Sequence, residues 1–240
     1  MKLRIILFFV ILILILCLLQ KEYNSKFINT VMINLDRSYM RRISTSMQLY
    51  LNGIHFKRHS AVDGLKYIFT EPELKMFSEL IRDNEKKLKP QKLKNVMSCA
   101  LSHIQIWNEY RGRGPILIME DDIFIYPKYK NNINSALSII YTIDPEWDII
   151  WVSGGNPGDR EVVSEFNYYN IYRMDPPEYI GQGTVAYMIS EKGIEHFLRI
   201  IKEKGCFAGI DIFLLKTLNI NHAYGIHTPL VSSGLFNSTI

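Results

Sequence analysis

Pro115-Ile-Leu-Ile-Met-Glu120-Asp121-Asp122 carries an all-apolar run straight into three adjacent carboxylates. The run from Ile116 to Met119 is short and wholly apolar, which predicts a strand covered on both faces. In open α/β sheets, ligands bind beyond the carboxyl ends of the strands. This stretch therefore predicts a central strand and, directly after it, the functional site.

The three carboxylates are the candidate ligand-binding residues. Like charges this close repel one another unless a cation compensates them, and hard oxygen ligands select Mg²⁺ or Mn²⁺. In extended geometry Glu120 and Asp122 face one side and Asp121 the other. We expect Asp122 to hold the metal and Glu120 to contact a sugar or ribose. An acidic turn without function is the alternative.

Strands and helices alternate along the rest of the chain. Strands are predicted at Thr30–Leu35, His55–Ala61, Ile116–Met119, Asp148–Ser153, Thr184–Ile189 and near 222–227, and helices at Ser38–Leu51, 71–88, Val96–Tyr110, 131–141, 191–203 and 209–218. This alternation predicts an α/β layered fold with a mainly parallel central sheet. The lysine-rich segment 86–94 is interpreted as a solvated loop, or else as a mobile lid over a diphosphate.

Composition limits the classes of function. The chain has 240 residues, of which 48% are apolar and 22% charged, so it folds and buries one sizeable core. A formal net charge of +4 suits an anionic small substrate or a membrane surface, but provides no extended basic field for nucleic acid. Three cysteines are too few for a disulfide framework.

The N-terminus carries a membrane-type pattern. Lys2 and Arg4 precede an apolar run at 5–19, whose 15 residues rise about 22 Å as a helix, against a hydrocarbon core of about 30 Å. Snorkelling by Arg4 and Lys21 would lengthen the span. A cleaved signal peptide is the alternative, although no small-x-small cleavage site follows Leu19.

A second candidate site element is Ile33-Asn34-Leu35-Asp36-Arg37, followed by Arg41-Arg42. Here a strand end meets a helix start, where backbone N–H groups and guanidinium forks suit the phosphates of a nucleotide. We expect Asn34, Leu35, Arg37 and Arg42 to contact the nucleotide. Ordinary surface arginines are the alternative.

A third element is Ser98-Cys99-Ala-Leu-Ser102-His103, which at helical spacing places its polar residues on one face. His103 is interpreted as a core histidine, with orientation of the acidic cluster as the alternative.

The last third of the chain adds Gly183 and Asp211. Gly181 and Gly183 permit close approach of the backbone to a ligand. Asp211 lies among apolar residues, where a carboxylate is costly unless it is paired or used. We expect Asp211 to be a general base, with a helix N-cap as the alternative. His222 and His227 are weaker metal-ligand candidates.

Taken in order along the body, six blocks of this sequence resemble glycosyltransferase family 25, the lipooligosaccharide and collagen-hydroxylysine galactosyltransferases. The blocks are Ile33–Arg42, Ala61–Gly64, Ser98–His103 with Trp107, Ile116–Asp122, Ala186–Gly193 and Asp211. The resemblance implies a GT-A-like fold, a UDP-sugar donor (usually UDP-galactose), and inversion at the anomeric carbon. It also implies that the acidic triplet holds Mn²⁺, or Mg²⁺, against the diphosphate.

Two departures from the family pattern matter. Ser98 stands where the family usually has glycine before the cysteine, which affects helix packing rather than chemistry. We also expect no second transferase-like domain of the kind that the collagen enzymes have, so collagen is not the default acceptor.

The predicted organisation has three parts: a membrane anchor at 1–22, a short stalk at 23–28 and a catalytic domain at 29–240. Basic residues before the apolar run place the N-terminus in the cytosol and the catalytic domain on the far side of the membrane. In a eukaryotic or viral protein, that side is the lumen of the secretory pathway.

The predicted function is metal-dependent transfer of a hexose, galactose first and glucose next, from a UDP-sugar to a hydroxyl of a glycan or glycoprotein. Asp211 is the first candidate for the catalytic base and Glu120 the second. One alternative is a catalytically silent, membrane-anchored glycan-binding or scaffolding relative. A phosphate-transferring enzyme is another, although the sequence has no Walker-type glycine loop.

Overall fold

The computed structural model describes residues 28–126, 129–153, 162–166, 169–174, 183–226 and 230–233. The strands are β1 (Asn29–Asn34), β2 (Lys57–Ser60), β3 (Ile116–Met119), β4 (Ile123–Ile125), β5 (Ile149–Trp151), β6 (Val162–Phe166), β7 (Tyr169–Arg173), β8 (Ala186–Ile189), β9 (Ala223–Ile226) and β10 (Val231–Ser233). The helices are α1 (Tyr39–Leu51), α2 (Glu71–Met76), α3 (Ser78–Asn84), α4 (Pro90–Tyr110), α5 (Tyr129–Ile143), α6 (Glu191–Lys204) and α7 (Ile210–Thr217), with a 3-10 turn at Ile220–His222. The prediction of an α/β fold is confirmed.

The main sheet has eight strands in the order β2-β1-β3-β8-β5-β9-β7-β6. Strands β2, β1 and β3 are parallel to one another, as are β5 and β9. Strand β8 runs antiparallel between β3 and β5, and β6 and β7 are antiparallel at the far edge. The sheet is thus mixed rather than mainly parallel, because an all-apolar run reveals that both faces are covered but not which way the strand runs. Strands β4 and β10 form a small antiparallel pair.

Helices cover both faces of the strands around β3. Alternate side chains of a strand point to opposite faces, so Ile118 packs in one core with Trp107 of α4. Met119 packs in the other core, with Leu49 of α1. The strand that decided the fold is therefore covered on both sides, as its apolar run predicts.

Two helices differ from their predicted bounds. The predicted helix at 71–88 is two helices that meet at Phe77, whose side chain is fully buried. Helix α4 begins at Pro90 rather than Val96, because proline suits the first turn of a helix. Five of the nine residues of the lysine-rich segment therefore belong to α4, so its interpretation as a loop is wrong for residues 90–94, and the lid stays a prediction.

Several predictions fall outside the described residues. They are the anchor at 1–22, nearly all of the stalk at 23–28, Gly181 and His227. Among the residues that the structure describes, no helix has both the length and the apolar character needed to cross a membrane.

Gly193 in α6 provides a test of how this helix packs on the sheet. A Cβ at this position would overlap the backbone carbonyl of Asp148, which precedes β5. We expect Gly193→Ala to lower the free energy of unfolding by about 1–3 kcal/mol, although alanine favours helix. Urea unfolding measures this loss. The exposed Lys202→Ala in the same helix should change stability by less than about 0.5 kcal/mol. Equal effects from the two variants would contradict this packing.

Candidate active site

A cleft opens at the carboxyl ends of β1, β2 and β3, on the side of the sheet where α4 packs. Five residues that the sequence assigns to the ligand line it: Asn34, Leu35, Arg37, Glu120 and Asp121. Parallel neighbouring strands end at the same edge of a sheet, which brings these distant residues together.

Asp121 is held from three directions. Asn34 Nδ2 donates to Asp121 Oδ2 at 2.5 Å, and Arg41 Nη2 lies 2.5 Å from Asp121 Oδ1. The hydroxyl of Thr45 in α1 donates to the Asp121 carbonyl oxygen at 2.7 Å. Burial raises the pKa of Asp121, while the hydrogen bond from Asn34 and the charge of Arg41 oppose that shift. The end of β3 is thereby fixed to β1 and α1.

Asp122 shares with Asp121 the contact to Arg41. Arg41 Nη2 also contacts Asp122 Oδ2 at 2.8 Å. Strand β3 ends at Met119 and the chain bends at 121–122, so the alternation of an extended strand stops there. The negative charge of Asp122 still helps to raise the pKa of Glu120, so these two carboxylates also lie near each other. Asp122 Oδ1 is buried and has no hydrogen-bond partner among the residues that the structure describes.

Of the two neighbouring arginines, the structure places Arg41 in the cleft wall, whereas Arg42 was predicted there. Successive helical residues point about 100° apart, so only one of the pair faces the acidic turn. Hydrogen bonds from Arg58 and Ser60, and more weakly the charge of Arg42, lower the pKa of Asp36. Arg42 therefore lies near Asp36 and does not line the cleft.

Arg58 of β2 is a site residue that the sequence did not reveal. Its Nε donates to Asn34 Oδ1 at 2.9 Å and its Nη2 to the Asn34 carbonyl oxygen at 3.2 Å, and it also pairs with Asp36. Arg58 therefore orients the amide that Asn34 presents to Asp121. The polar sequence of β2 (Lys-Arg-His-Ser) could have identified Arg58, because polar side chains on a strand beside a ligand site often contact that site.

Glu120 points to the α4 side of β3, opposite to Asp121. Its side chain is half-buried, and Thr184 Oγ1 donates to its Oε1 at 2.9 Å. Burial, and then the negative charges of Asp122 and Asp121, raise the pKa of Glu120 to about 7, although the hydrogen bond from Thr184 opposes this. At neutral pH this carboxyl can both accept and release a proton.

The polar face of α4 forms the floor of the cleft. Asn95, Ser98, Cys99, Ser102 and His103 all line it. Ser102 Oγ accepts from the backbone N–H of Val62, which docks the segment after β2 on α4.

His103 lies in the core, which agrees with the first of its two interpretations. Its side chain is buried, and its Nδ1 lies 2.8 Å from Tyr187 Oη. Burial and the nearby His59 lower the pKa of His103 to about 3, so the imidazole is neutral at physiological pH.

Asp211 and Gly183 do not line the cleft. Asp211 is half-buried in the first turn of α7, where its Oδ1 accepts from the N–H of Ile212. The N-cap of α7 is Gly209, so Asp211 does not have the helix N-cap role that was the alternative, and its role as a base stays a prediction. Burial, and then the charges of Glu120 and Asp211, raise the pKa of the Cys99 thiol, so Asp211 lies near the cleft floor.

Gly183 lies just before Thr184, the residue that donates to Glu120. Its φ of +67° is one that favours glycine. Its carbonyl oxygen accepts from Trp151 Nε1 at 3.3 Å. Gly183 thus shapes the segment that carries Thr184, which differs from the ligand contact that was predicted.

His222 is paired elsewhere. Its Nδ1 lies 2.9 Å from Asp144 Oδ2, just before the amino end of β9. Because β9 is parallel to β5, and β8 is antiparallel to both β5 and β3, this end of the sheet is opposite to the cleft. The prediction of His222 as a metal ligand beside the acidic turn is wrong. Within the described part of the chain, no three His, Cys, Asp or Glu side chains converge on one metal position.

The structure is an α/β sheet with an acidic turn and a basic helix start at one cleft. Clefts at the carboxyl ends of strands are where α/β proteins bind their ligands. Residues 27–214 match the family described as Glycosyltransferase family 25 (LPS biosynthesis protein). This match spans well over half of the chain, and the chain belongs to glycosyltransferase family 25. The prediction of the family is confirmed.

Two curated relatives are similar over most of this chain. Procollagen galactosyltransferase 1 of Danio rerio is 28% identical over 170 residues, covering 70% of this chain and 28% of that protein. A putative glycosyltransferase of Acanthamoeba polyphaga mimivirus is 24% identical over 177 residues, covering 70% of this chain and 51% of the relative. The chain therefore matches 28% and 51% of the lengths of these relatives.

A solved structure also aligns with the chain. It is a glycosyltransferase involved in the glycosylation of the major capsid of PBCV-1, and the alignment covers 73% of this chain and 65% of that one. The sequence identity is 12% and the TM-score 0.37, which is too low to support a conclusion.

The raised pKa of Glu120 predicts a pH-dependent cost to stability. A carboxyl whose pKa is higher in the folded chain binds more protons there than in the unfolded chain, so stability falls as pH rises from about 4.5 to about 7. In EDTA, Glu120→Gln should therefore stabilise the fold at pH 8 by about 1–3 kcal/mol, and by much less at pH 5. Thermal unfolding at both pH values measures the difference.

The matched control for this measurement is Glu85→Gln, an exposed glutamate at the end of α3. Its stability should differ little from that of the unchanged chain at either pH. If Glu120→Gln raises the stability of the fold equally at pH 5 and pH 8, the charge of Glu120 does not destabilise the folded chain.

Proposed function

We propose that this chain transfers a hexose, galactose first and glucose next, from a UDP-sugar to a hydroxyl of a glycan or glycoprotein. The observation that carries this proposal is the convergence of Asn34, Arg37 and Arg41 with the acidic residues Glu120 and Asp121 in one cleft at the strand ends. Basic groups suit the diphosphate, and carboxylates suit a cation and the sugar hydroxyls.

The family and one relative support the choice of donor. The chain belongs to a glycosyltransferase family, and a relative is named a procollagen galactosyltransferase. Because only 28% of that relative is matched, its acceptor is not carried over. We propose a membrane-anchored enzyme whose acceptor lies on the same side of the membrane as the cleft.

The acidic turn has an unpartnered carboxylate oxygen and an excess of negative charge, both of which suit a divalent cation. Asp122 Oδ1 is buried without a hydrogen-bond partner among the described residues, and carboxylates outnumber the arginine that contacts them here. Mg²⁺ and Mn²⁺ often use one or two protein carboxylates and take substrate phosphates for the rest. Asp122, with Asp121 beside it, would hold the ion. When bound, such an ion acts as a Lewis acid that stabilises charge on the leaving diphosphate.

Other residues of the cleft would bind the diphosphate and remove the proton of the acceptor. Arg41 and Arg37 line the wall beside the acidic turn, where guanidinium groups attract and orient the diphosphate. Glu120, with a pKa of about 7, is the group in the cleft that suits removal of the acceptor hydroxyl proton. Asp211, the base that the sequence favoured, does not line the cleft, so we now propose Glu120.

We also propose inversion at the anomeric carbon, as the resemblance to the family implies. Glu120 would then take the proton of a hydroxyl that attacks from the face opposite to the diphosphate.

UDP release from a panel of UDP-sugars tests the proposed function directly. The full-length chain, purified in mild detergent because of its apolar N-terminus, is assayed with Mn²⁺ or with EDTA, beside Asp122→Asn. We expect one donor, UDP-galactose, to be consumed, with a loss of at least about 100-fold in EDTA and in the variant.

The control carboxylate is Asp83, which is exposed on α3, and Asp83→Asn should retain full activity. A folded chain that neither binds nor consumes any UDP-sugar would favour the silent glycan-binding alternative. Activity that is unchanged by EDTA and by Asp122→Asn would contradict the proposed cation.

The pH dependence of kcat/KM tests the role of Glu120. If Glu120 takes the proton, kcat/KM should fall as the pH drops through the pKa of this carboxyl, and Glu120→Gln should lose about 10²–10⁴-fold in kcat. A cation on Asp122 would lower that pKa from its value of about 7 in the metal-free chain. Thr184→Val removes a hydrogen bond that favours the charged carboxylate, so the acidic limb should move to higher pH. An acidic limb that stays in place in Thr184→Val would argue for another base.

A further inference from the structure

Two buried polar atoms on the floor of the cleft lack a hydrogen-bond partner among the described residues. They are Ser98 Oγ and His103 Nε2, both on the face of α4 that lines the cleft. The two side chains are 2% and 1% exposed. Buried polar groups in folded proteins are nearly always paired with protein, water or ligand. A water or a ligand bound in the cleft would satisfy these two atoms.

The hydrogen bonds around Tyr187 fix which nitrogen of His103 carries the proton. Trp107 Nε1 can only donate, and it lies 3.1 Å from Tyr187 Oη, which therefore accepts. The Tyr187 hydroxyl then donates its own proton to His103 Nδ1, 2.8 Å away. His103 is neutral, so its single N–H is at Nε2. The unpartnered atom is consequently a hydrogen-bond donor whose orientation is fixed by two aromatic residues.

Much of the cleft wall around this donor is apolar. Ile33, Leu35, Ala61, Val62 and Cys99 line the same cleft. The carboxylates and arginines that suit a sugar diphosphate lie instead at the strand ends. A flat, uncharged ring with carbonyl acceptors matches an apolar wall that presents one N–H and one hydroxyl.

We infer that Ser98 and His103 recognise the uracil base of the donor, with His103 Nε2–H donating to a uracil carbonyl oxygen and Ser98 Oγ contacting the adjacent polar edge of the ring. This inference rests on the proposed UDP-sugar donor and adds the residues that select its base. Tyr187 and Trp107 are positioning residues, because they orient the histidine and do not contact the ligand.

A matched pair of substitutions at His103 separates this role from a structural one. Glutamine places its amide nitrogen where Nε2 of histidine lies, whereas asparagine places its polar atoms near Nδ1. His103→Gln therefore keeps the donor in the cleft, and His103→Asn keeps the contact with Tyr187. If uracil is the partner of Nε2, the glutamine variant retains the ligand contact and the asparagine variant loses it.

Calorimetric titration of the full-length chain measures binding of UDP, of uridine, which lacks phosphates, and of pyrophosphate, which lacks the base. We expect His103→Asn to weaken UDP and uridine about 10-fold and His103→Gln to remain within about 3-fold of the unchanged chain. Ser98→Ala should weaken both ligands several-fold. Pyrophosphate binding should be the same in all of these proteins, and thermal unfolding confirms that each variant is folded.

Several outcomes would overturn the inference. If the chain binds UDP but both His103 variants bind it equally well, a buried water satisfies Nε2 and the base lies elsewhere. If His103→Asn binds normally and His103→Gln does not, the histidine serves only the fold. A loss that extends equally to pyrophosphate would also contradict base recognition. If the unchanged chain binds neither UDP nor uridine, the proposed donor fails together with the inference.

Discussion

The contact of Arg41 with both Asp121 and Asp122 is the interaction on which the rest of the site depends. Strand β3 ends in three carboxylates that are wholly or partly buried, and buried like charges are costly unless opposite charge and hydrogen bonds compensate them. Arg41 supplies the charge from α1, and Asn34 supplies a hydrogen bond from β1. The carboxyl ends of β1 and β3 and the start of α1 are thereby held together as the rim of one cleft.

This arrangement divides the cleft by charge. On the α1 side, Asp121 and Asp122 contact a guanidinium, and Asp122 Oδ1 has no hydrogen-bond partner among the described residues. On the α4 side, Glu120 has a raised pKa, and His103 is neutral because it is buried. A nucleotide-sugar likewise combines a charged diphosphate with an uncharged base and an uncharged sugar. The charged side of the cleft suits the diphosphate of the proposed donor.

The sequence predicted the parts of this site that depend on local pattern. The apolar run at 116–119 identified the central strand, and the residues after β1 and β3 meet because parallel strands end at one edge. It could not predict contacts that depend on how distant segments pack. Arg58 reaches Asn34 only because β2 pairs with β1, and Arg41 rather than Arg42 faces the cleft because of the rotation of α1. The sequence also could not predict the direction of β8, since a central antiparallel strand is as apolar as a parallel one.

Hydrogen–deuterium exchange of the full-length chain, with and without UDP and Mn²⁺, tests most directly whether this cleft is the donor site. We predict slower exchange in peptides that cover residues 33–37, 95–103 and 119–122 when UDP is bound. Exchange should not change around the basic groove that contains Arg111 and Arg199, which shares no residue with the cleft. Protection confined to that groove, or UDP binding that leaves the three cleft segments unchanged, would show that the donor binds elsewhere.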